Sequence, residues 1–365
     1  MLPRLSILVR RRFVWAAVLF SAASTANAQT AAKFSFQLLT AEPLAVESAL
    51  TRLAREGYRC AAVARPEAPM MSNSVAVLLG RDLPAAGSVP EDLSVVVGRA
   101  FSLDEFERDI NIRAANGFTM CGFTWTAPVW GATSGYTPVA VMRRLPGAST
   151  QRASYRVRRT QGRSGQWAAL EKTAAEGFAV THLAFRPESP TSDVSDVIFV
   201  AEKTAGAVPL EYRLVFSGNA VALEKELAKV PGFGFHSVWH TAGRVSVLLS
   251  RPAGSQAPPH DYKVDDPSRL RISGLDGELL KIFRFKEGAI ALYDRKRPAL
   301  DHSIIDGVIT DLTRRRTIPT GDERRFIEKL DVDGARGFWP IDFTWRGDIE
   351  MGRAVDVILR RPLTP

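Results

Sequence analysis

The sequence predicts an α+β protein, a tandem array of about five β-α-β-β units, each a small sheet covered by one helix. Three observations carry that expectation. A glycine followed by an aromatic residue recurs at Gly57-Tyr58, Gly117-Phe118, Gly177-Phe178, Gly232-Phe233 and Gly337-Phe338, the first three sixty residues apart. Each pair follows a stretch with apolar residues at helical spacing, and strand-like alternation flanks each stretch on both sides.

The first segment is set aside before the fold. Arg4, Arg10, Arg11 and Arg12 make a basic start, Phe13 to Phe20 an apolar stretch, and Ala26-Asn27-Ala28 a small-x-small cleavage pattern, so residues 1–28 read as a signal peptide. Export to a periplasmic or secreted location follows from that reading. The apolar stretch is well short of the roughly 20 residues a membrane-spanning helix needs, and no later stretch is both long and uncharged. No transmembrane segment is expected after cleavage. The net charge of +9 includes those four arginines and no acid of the segment, which leaves +5 on the rest. Acids and bases are interspersed there, the pattern of a solvated surface, and no nucleic-acid partner is expected.

Within the first unit, Phe34 to Leu38 alternates as a strand, and Val46, Leu50, Leu53 and Ala54 then fall on one helical face. The helix stops at Gly57, where glycine takes the left-handed conformation and Tyr58 folds back on Leu53. Leu93 to Val97, Tyr155-Arg156-Val157, Tyr212-Arg213-Leu214 and Tyr262-Lys263-Val264 are the corresponding opening strands. Helical stripes follow at Leu103, Phe106 and Ile110, at Trp167, Leu170 and Ala174, and at Leu223, Leu227 and Val230. Ser102 with Glu105 and Thr320 with Glu323 have capping-box spacing, and Asn219 stands as a cap in the fourth unit. The closing strands are Ser74 to Leu79, Pro138 to Met142, Asp196 to Val200, Arg244 to Leu249 and Ala354 to Leu359, often followed by arginine.

Stretches rich in proline, glycine, alanine and serine separate the units, which run over residues 29–90, 91–150, 151–207, 208–256 and 257–365. Residues 265–319 are expected as an insertion in the fifth unit, with a degenerate sixth unit as the alternative. One unit of this size buries too little apolar surface to stand alone. The units are therefore expected to share burial, in pairs or as an extended array, with terminal units as caps.

The run Tyr155-Arg156-Val157, then Ala175-Glu176-Gly177-Phe178-Ala179-Val180, then Val197-Ile198-Phe199-Val200 resembles a small bacterial domain of unknown function. That family has a Tyr-Lys-Val strand, a helix running into Glu-Gly-aromatic, and a last strand ending in Lys-Arg. The resemblance implies divergent tandem copies over most of the chain. It implies no activity and no catalytic residues.

The chemistry-bearing residues are few. No nucleophile elbow, phosphate loop or dinucleotide fingerprint occurs, and the five histidines, His182, His236, His240, His260 and His302, lack metal-ligand spacing. Asp301-His302-Ser303 has triad residue types, but adjacency along a chain is not convergence. No catalytic, metal or cofactor residue is assigned, and no cofactor is expected. Trp125, Trp130 and Tyr136, in a long connection of the second unit, are a possible binding surface or packing against a neighbour. Two charged groups are weaker candidates, Arg156, Arg158, Arg159 and Arg163, and Asp294 to Arg297 with Arg314 to Arg316. Cys60 and Cys121 occupy nearly corresponding positions of adjacent units, either as a disulfide or as two buried small residues. The function expected is a non-catalytic binding or scaffold module for an unknown envelope protein or polymer. An enzyme with a site between units and a self-assembling envelope protein are the alternatives.

Overall fold

The computed structural model describes residues 33–66, 74–83, 90–99, 102–126, 137–147, 153–187, 195–241, 244–256, 258–265, 277–285, 288–297, 302–309, 321–346 and 353–361. The signal-peptide reading lies outside these residues, as do Trp130, Tyr136, Thr320 and Arg314 to Arg316.

Each helix end follows from local chemistry. The first helix, α1 (Pro43–Arg55), starts with proline at its first turn, where the missing N–H costs nothing. It ends at Gly57 with φ of 85°, the Tyr58 N–H donating to the Leu53 carbonyl and the Gly57 N–H to Ala54. The same double bond pattern ends α2 (Leu103–Ala115), α3 (Gly162–Ala175) and α5 (Gly321–Ala335). Helix α4 (Ala220–Ala228) begins at Asn219, whose side chain accepts from the Ala222 N–H at 2.8 Å. Ser102 occupies the N-cap of α2 but makes no capping bond with its side chain.

Around these helices the strands form six small antiparallel sheets, each ordered first, last, middle. The sheets are β1 (Lys33–Ala41), β4 (Val75–Leu83) and β2 (Arg59–Val63); β5 (Asp92–Val97), β7 (Thr137–Arg144) and β6 (Thr119–Thr126); β8 (Ser154–Gln161), β10 (Ser195–Lys203) and β9 (Ala179–Pro187). They continue as β11 (Leu210–Ser217), β13 (Arg244–Pro252) and β12 (Gly234–Thr241); β14 (Tyr262–Asp265), β16 (Gly288–Asp294) and β15 (Glu278–Phe285); and β17 (His302–Ile309), β19 (Arg353–Arg360) and β18 (Trp339–Arg346). A two-residue strand, β3 (Arg65–Pro66), joins the last sheet parallel to β18.

Two expectations meet the structure here. For residues 265–319 the sequence leaves open an insertion in the fifth unit or a degenerate sixth unit; among the described residues β14, β15 and β16 pair in a sheet of their own, and β17 opens another. Strands β15 and β16 pair antiparallel from Phe285 with Gly288 to Glu278 with Asp294, and do not interrupt the last sheet. Nor do the sheets end in caps. Helix α1 packs on β5, α2 on β8, α3 on β11, α4 on β14, and α5 on both β17 and β1, so the succession returns to its start. Among the described residues six apolar cores lie between neighbouring sheets, and one of them joins Phe34, Phe36 and Leu78 of the first sheet to Phe326 and Leu330 of α5 and Phe343 and Val357 of the last sheet.

Hydrogen bonds repeat around this closed succession. The opening strand of each sheet is an edge, and on four of the six a carboxylate of the helix packed against it takes an N–H group. Glu47 accepts from Val95 N at 3.3 Å, Glu107 from Val157 N at 2.8 Å, Glu224 from Val264 N at 3.2 Å and Asp331 from Phe36 N at 2.6 Å. The tyrosines of the opening strands reach back as well. The Tyr155 hydroxyl accepts from Met120 N, the Tyr212 hydroxyl from Val180 N, and the Tyr262 hydroxyl donates to the Phe233 carbonyl. Basic residues that end the closing strands cover the aromatic after each glycine, as Arg81 does for Tyr58, Arg144 for Phe118 and Arg251 for Phe233.

Candidate functional site

The middle strands β2, β6, β9, β12 and β15 are the other edges of their sheets, β18 lies next to the two-residue edge strand β3, and the six converge. Residues from all six line one cavity of about 290 Å³. Each of the six pairings with a closing strand carries one register shift, at Cys60/Ala62, Met120/Gly122, Val200/Ala201, Phe235/Ser237, Leu279/Lys281 and Pro340/Asp342. A bulge leaves one residue out of the ladder and re-aims it. The residues so released are Ala61, Cys121, Thr181, His236, Leu280 and Ile341, and all six line the cavity. Five of them stand four residues after the glycine of a Gly-aromatic pair. That spacing is the sequence signal for the cavity; a search confined to sequence motifs passes over it, because the six side chains share no chemistry.

Equivalent positions thus carry different groups. On β15 and β18 the Lys281 ammonium donates to Asp342 and, at 2.8 Å, to the Thr344 hydroxyl, which itself donates to Asp342 at 3.1 Å. The Lys281 and Asp342 side chains are 7% and 12% exposed, so this ion pair sits nearly buried in the wall. On β9 and β12 the wall holds Thr181, His182, His236 and Ser237. One nitrogen of His236, Nε2, meets the Val180 carbonyl and is therefore the donor, which leaves Nδ1 to accept from the Ser250 hydroxyl at 3.3 Å. Burial, partly offset by the bond to Val180, holds the His236 pKa below the usual imidazole value. Both ring nitrogens are thus engaged in joining β12 to β9 and β13.

On β2 and β6 the wall is tight. A Cβ on Gly122 would stand 2.6 Å from Val63, so only glycine lets these edges approach. Cys60 and Cys121 are joined there as a disulfide, with Cα atoms 6.3 Å apart. Their one-residue offset would send them to opposite faces of regular strands; the bulge at Cys121 absorbs it.

The other sequence candidates fall elsewhere. Trp125 is 7% exposed and packs beside Phe123 in the core between the second and third sheets, so it is not an exposed binding ring. Arg156 and Arg158 pair with Glu107 at 2.6 and 3.3 Å, tying β8 to α2. Asp294 is buried and accepts from His260, Asp261 N and Lys296 N, which makes it the lock of a turn. His302 and Ser303 lie on β17; their side chains, Asp301 and the side chains of Arg163 and His240 lie outside the described residues. Among the described residues no three His, Cys, Asp or Glu side chains converge as a metal site. The carboxyls that burial pushes above their usual range, Glu91, Glu202 and Asp331, lie in the joints between sheets and not in the cavity lining.

No helix among the described residues is long and apolar enough to cross a membrane. No protein-family model, no curated protein and no solved structure matches this chain.

Proposed function

We propose that the chain is an exported, non-catalytic binding module made of divergent tandem β-α-β-β copies, with its ligand site in the cavity where the middle strands meet. The observation that carries this reading is that six equivalent bulge positions, one per sheet, supply six lining side chains of differing chemistry. A repeated fold that only had to stack has no need for a bulge aimed at the centre in every copy. The cavity volume of about 290 Å³ falls at the small end of the usual range for ligand sites, about 300–1,000 Å³. The Cys60–Cys121 disulfide suits an oxidising compartment and supports export alongside the signal-like start.

The rival readings receive less support. Four of the six opening-strand edges, through which a self-assembling protein would pair, carry helix carboxylates. For catalysis the cavity lining offers His182, His236, Lys281 and Asp342, and of these both nitrogens of His236 have partners while Lys281 and Asp342 pair with each other.

The test is native mass spectrometry of the folded, oxidised protein recovered from its exported fraction, beside an Ile341→Trp variant. Ile341 lines the cavity and is 44% exposed, so an indole there fills the space and leaves the six cores intact. The expected result is a small bound molecule in the parent protein and none in the variant. A bound molecule retained equally by both would remove the cavity as the site.

A further inference from the structure

Resting on the cavity being the ligand site, we infer that its ligand is a neutral polyhydroxylated molecule of about monosaccharide size, held by its hydroxyl groups on the Lys281–Asp342 pair. Size comes first. A cavity of about 290 Å³ stands at the lower edge of the range for small-ligand sites, about 300–1,000 Å³, which suits a molecule of monosaccharide size.

Charge narrows the class. Lys281 and Asp342 carry the formal charges of the lining, and they cancel. An anion or a cation docking there gives up part of its hydration and meets no surplus of opposite charge in return. A wholly apolar ligand would strip water from the ion pair and return no hydrogen bond. A hydroxyl group fits both members, because its oxygen accepts from the ammonium while its proton goes to the carboxylate, and a vicinal diol does so at two adjacent atoms. The Thr344 hydroxyl, bonded to both Lys281 and Asp342, holds the pair in place from behind. Across the cavity Thr181, His182 and Ser237 add further hydroxyl and imidazole groups of the kind that meet a polyol.

The experiment is isothermal calorimetry on the oxidised protein with three sets of probes. They are D-glucose, D-galactose, D-mannose and N-acetyl-D-glucosamine; glucuronate and glucose 6-phosphate; and glycine and L-alanine. Binding by at least one neutral sugar is expected, at least tenfold tighter than by its charged counterparts. Asp342→Asn should weaken it at least tenfold. Because that change leaves the Lys281 charge unpaired, the double variant Lys281→Met, Asp342→Leu, which removes both charges, is measured as well, with circular dichroism to report folding. The double variant is expected to fold and to lose the sugar. Tighter binding of an anion or amino acid, abolished by Ile341→Trp, overturns the ligand class and leaves the cavity as the site. Sugar binding that survives both the double variant and Ile341→Trp overturns both. Absence of binding by every probe overturns the ligand class, and the mass-spectrometric comparison then stands alone as the test of the cavity.

Discussion

At the scale of single residues, buried polar groups at the joints make commitments that sequence spacing does not show. Tyr212 is buried, and burial raises its pKa to about 12, so its hydroxyl stays protonated while accepting from Val180 N. Tyr212→Phe leaves that amide without its acceptor. The expected cost is about 1–3 kcal/mol, read as a lower urea midpoint with an unchanged slope. His236 adds a pH dependence. Its folded pKa lies below the unfolded value, so the unfolded chain binds the extra proton as pH falls through about 6.5, and stability drops on the acid side. The slope from one such group is up to about 1.4 kcal/mol per pH unit. Glu91, Glu202 and Asp331, whose pKa values are raised, act in the opposite sense at lower pH, since a raised carboxyl binds its proton in the folded state first. The informative comparison is therefore thermal melting of the parent and His236→Gln between pH 7.5 and 5.5. A shallower acid decline in the variant is expected; equal declines would count against this role for His236.

The edge strand with the helix beside it is the unit of repetition at the scale of elements. A bare edge invites pairing with another chain, and here Glu107 closes one by accepting from Val157 N, Arg156 and Arg158 together. Glu107→Ala removes all three bonds at once. The expected effect is a loss of about 1–3 kcal/mol from the amide left unpaired, with faster hydrogen exchange at Val157 than at Val200 on the neighbouring central strand. Glu107 stands ten residues before Gly117, and Glu47 ten before Gly57, yet Trp167 holds that place in the third helix, where Arg213 stacks on its ring at 5.8 Å. One structural task is met by two chemistries. This is the reason a pattern of residue types alone does not reveal it.

For the whole molecule the decisive fact is closure. Residues 32–365 form one compact unit in which the last sheet shares a core with the first. An open array unfolds from its ends, whereas a closed one has no end from which to fray. Removal of residues 302–365 would uncover Phe34, Phe36 and Leu78. The expected outcome is loss of cooperative melting throughout, not of one sixth of the signal; a calorimetric peak that merely shrinks would contradict it. The Cys60–Cys121 bridge clamps the joint between the first two sheets and closes a loop of 61 residues. Reduction, or Cys60→Ser with Cys121→Ser, should lower stability by about 2–4 kcal/mol without changing the sheet content.

The sequence by itself determined the α+β class, the order of strand, helix and two strands, the glycine that ends four of the five described helices, and the apolar stripes. These are local matters, since a φ near +80°, a 3.6-residue period and a strand alternation are each written within a dozen residues. Tertiary structure decided the rest. Whether residues 265–319 make an insertion or a sixth unit is left open by the sequence, because Tyr262 to Asp294 carries no Gly-aromatic pair of the recurrent kind, and closure is not written locally because α5 meets β1 across almost the whole chain. Trp125 reads from the sequence either as a binding ring or as packing against a neighbour, and only what the adjacent sheet brings to it decides for burial. The cavity belongs wholly to this second class. Its six lining bulges are each a one-residue irregularity, and only their convergence from six separate sheets makes a place where Lys281, Asp342, Thr181 and His236 share one space.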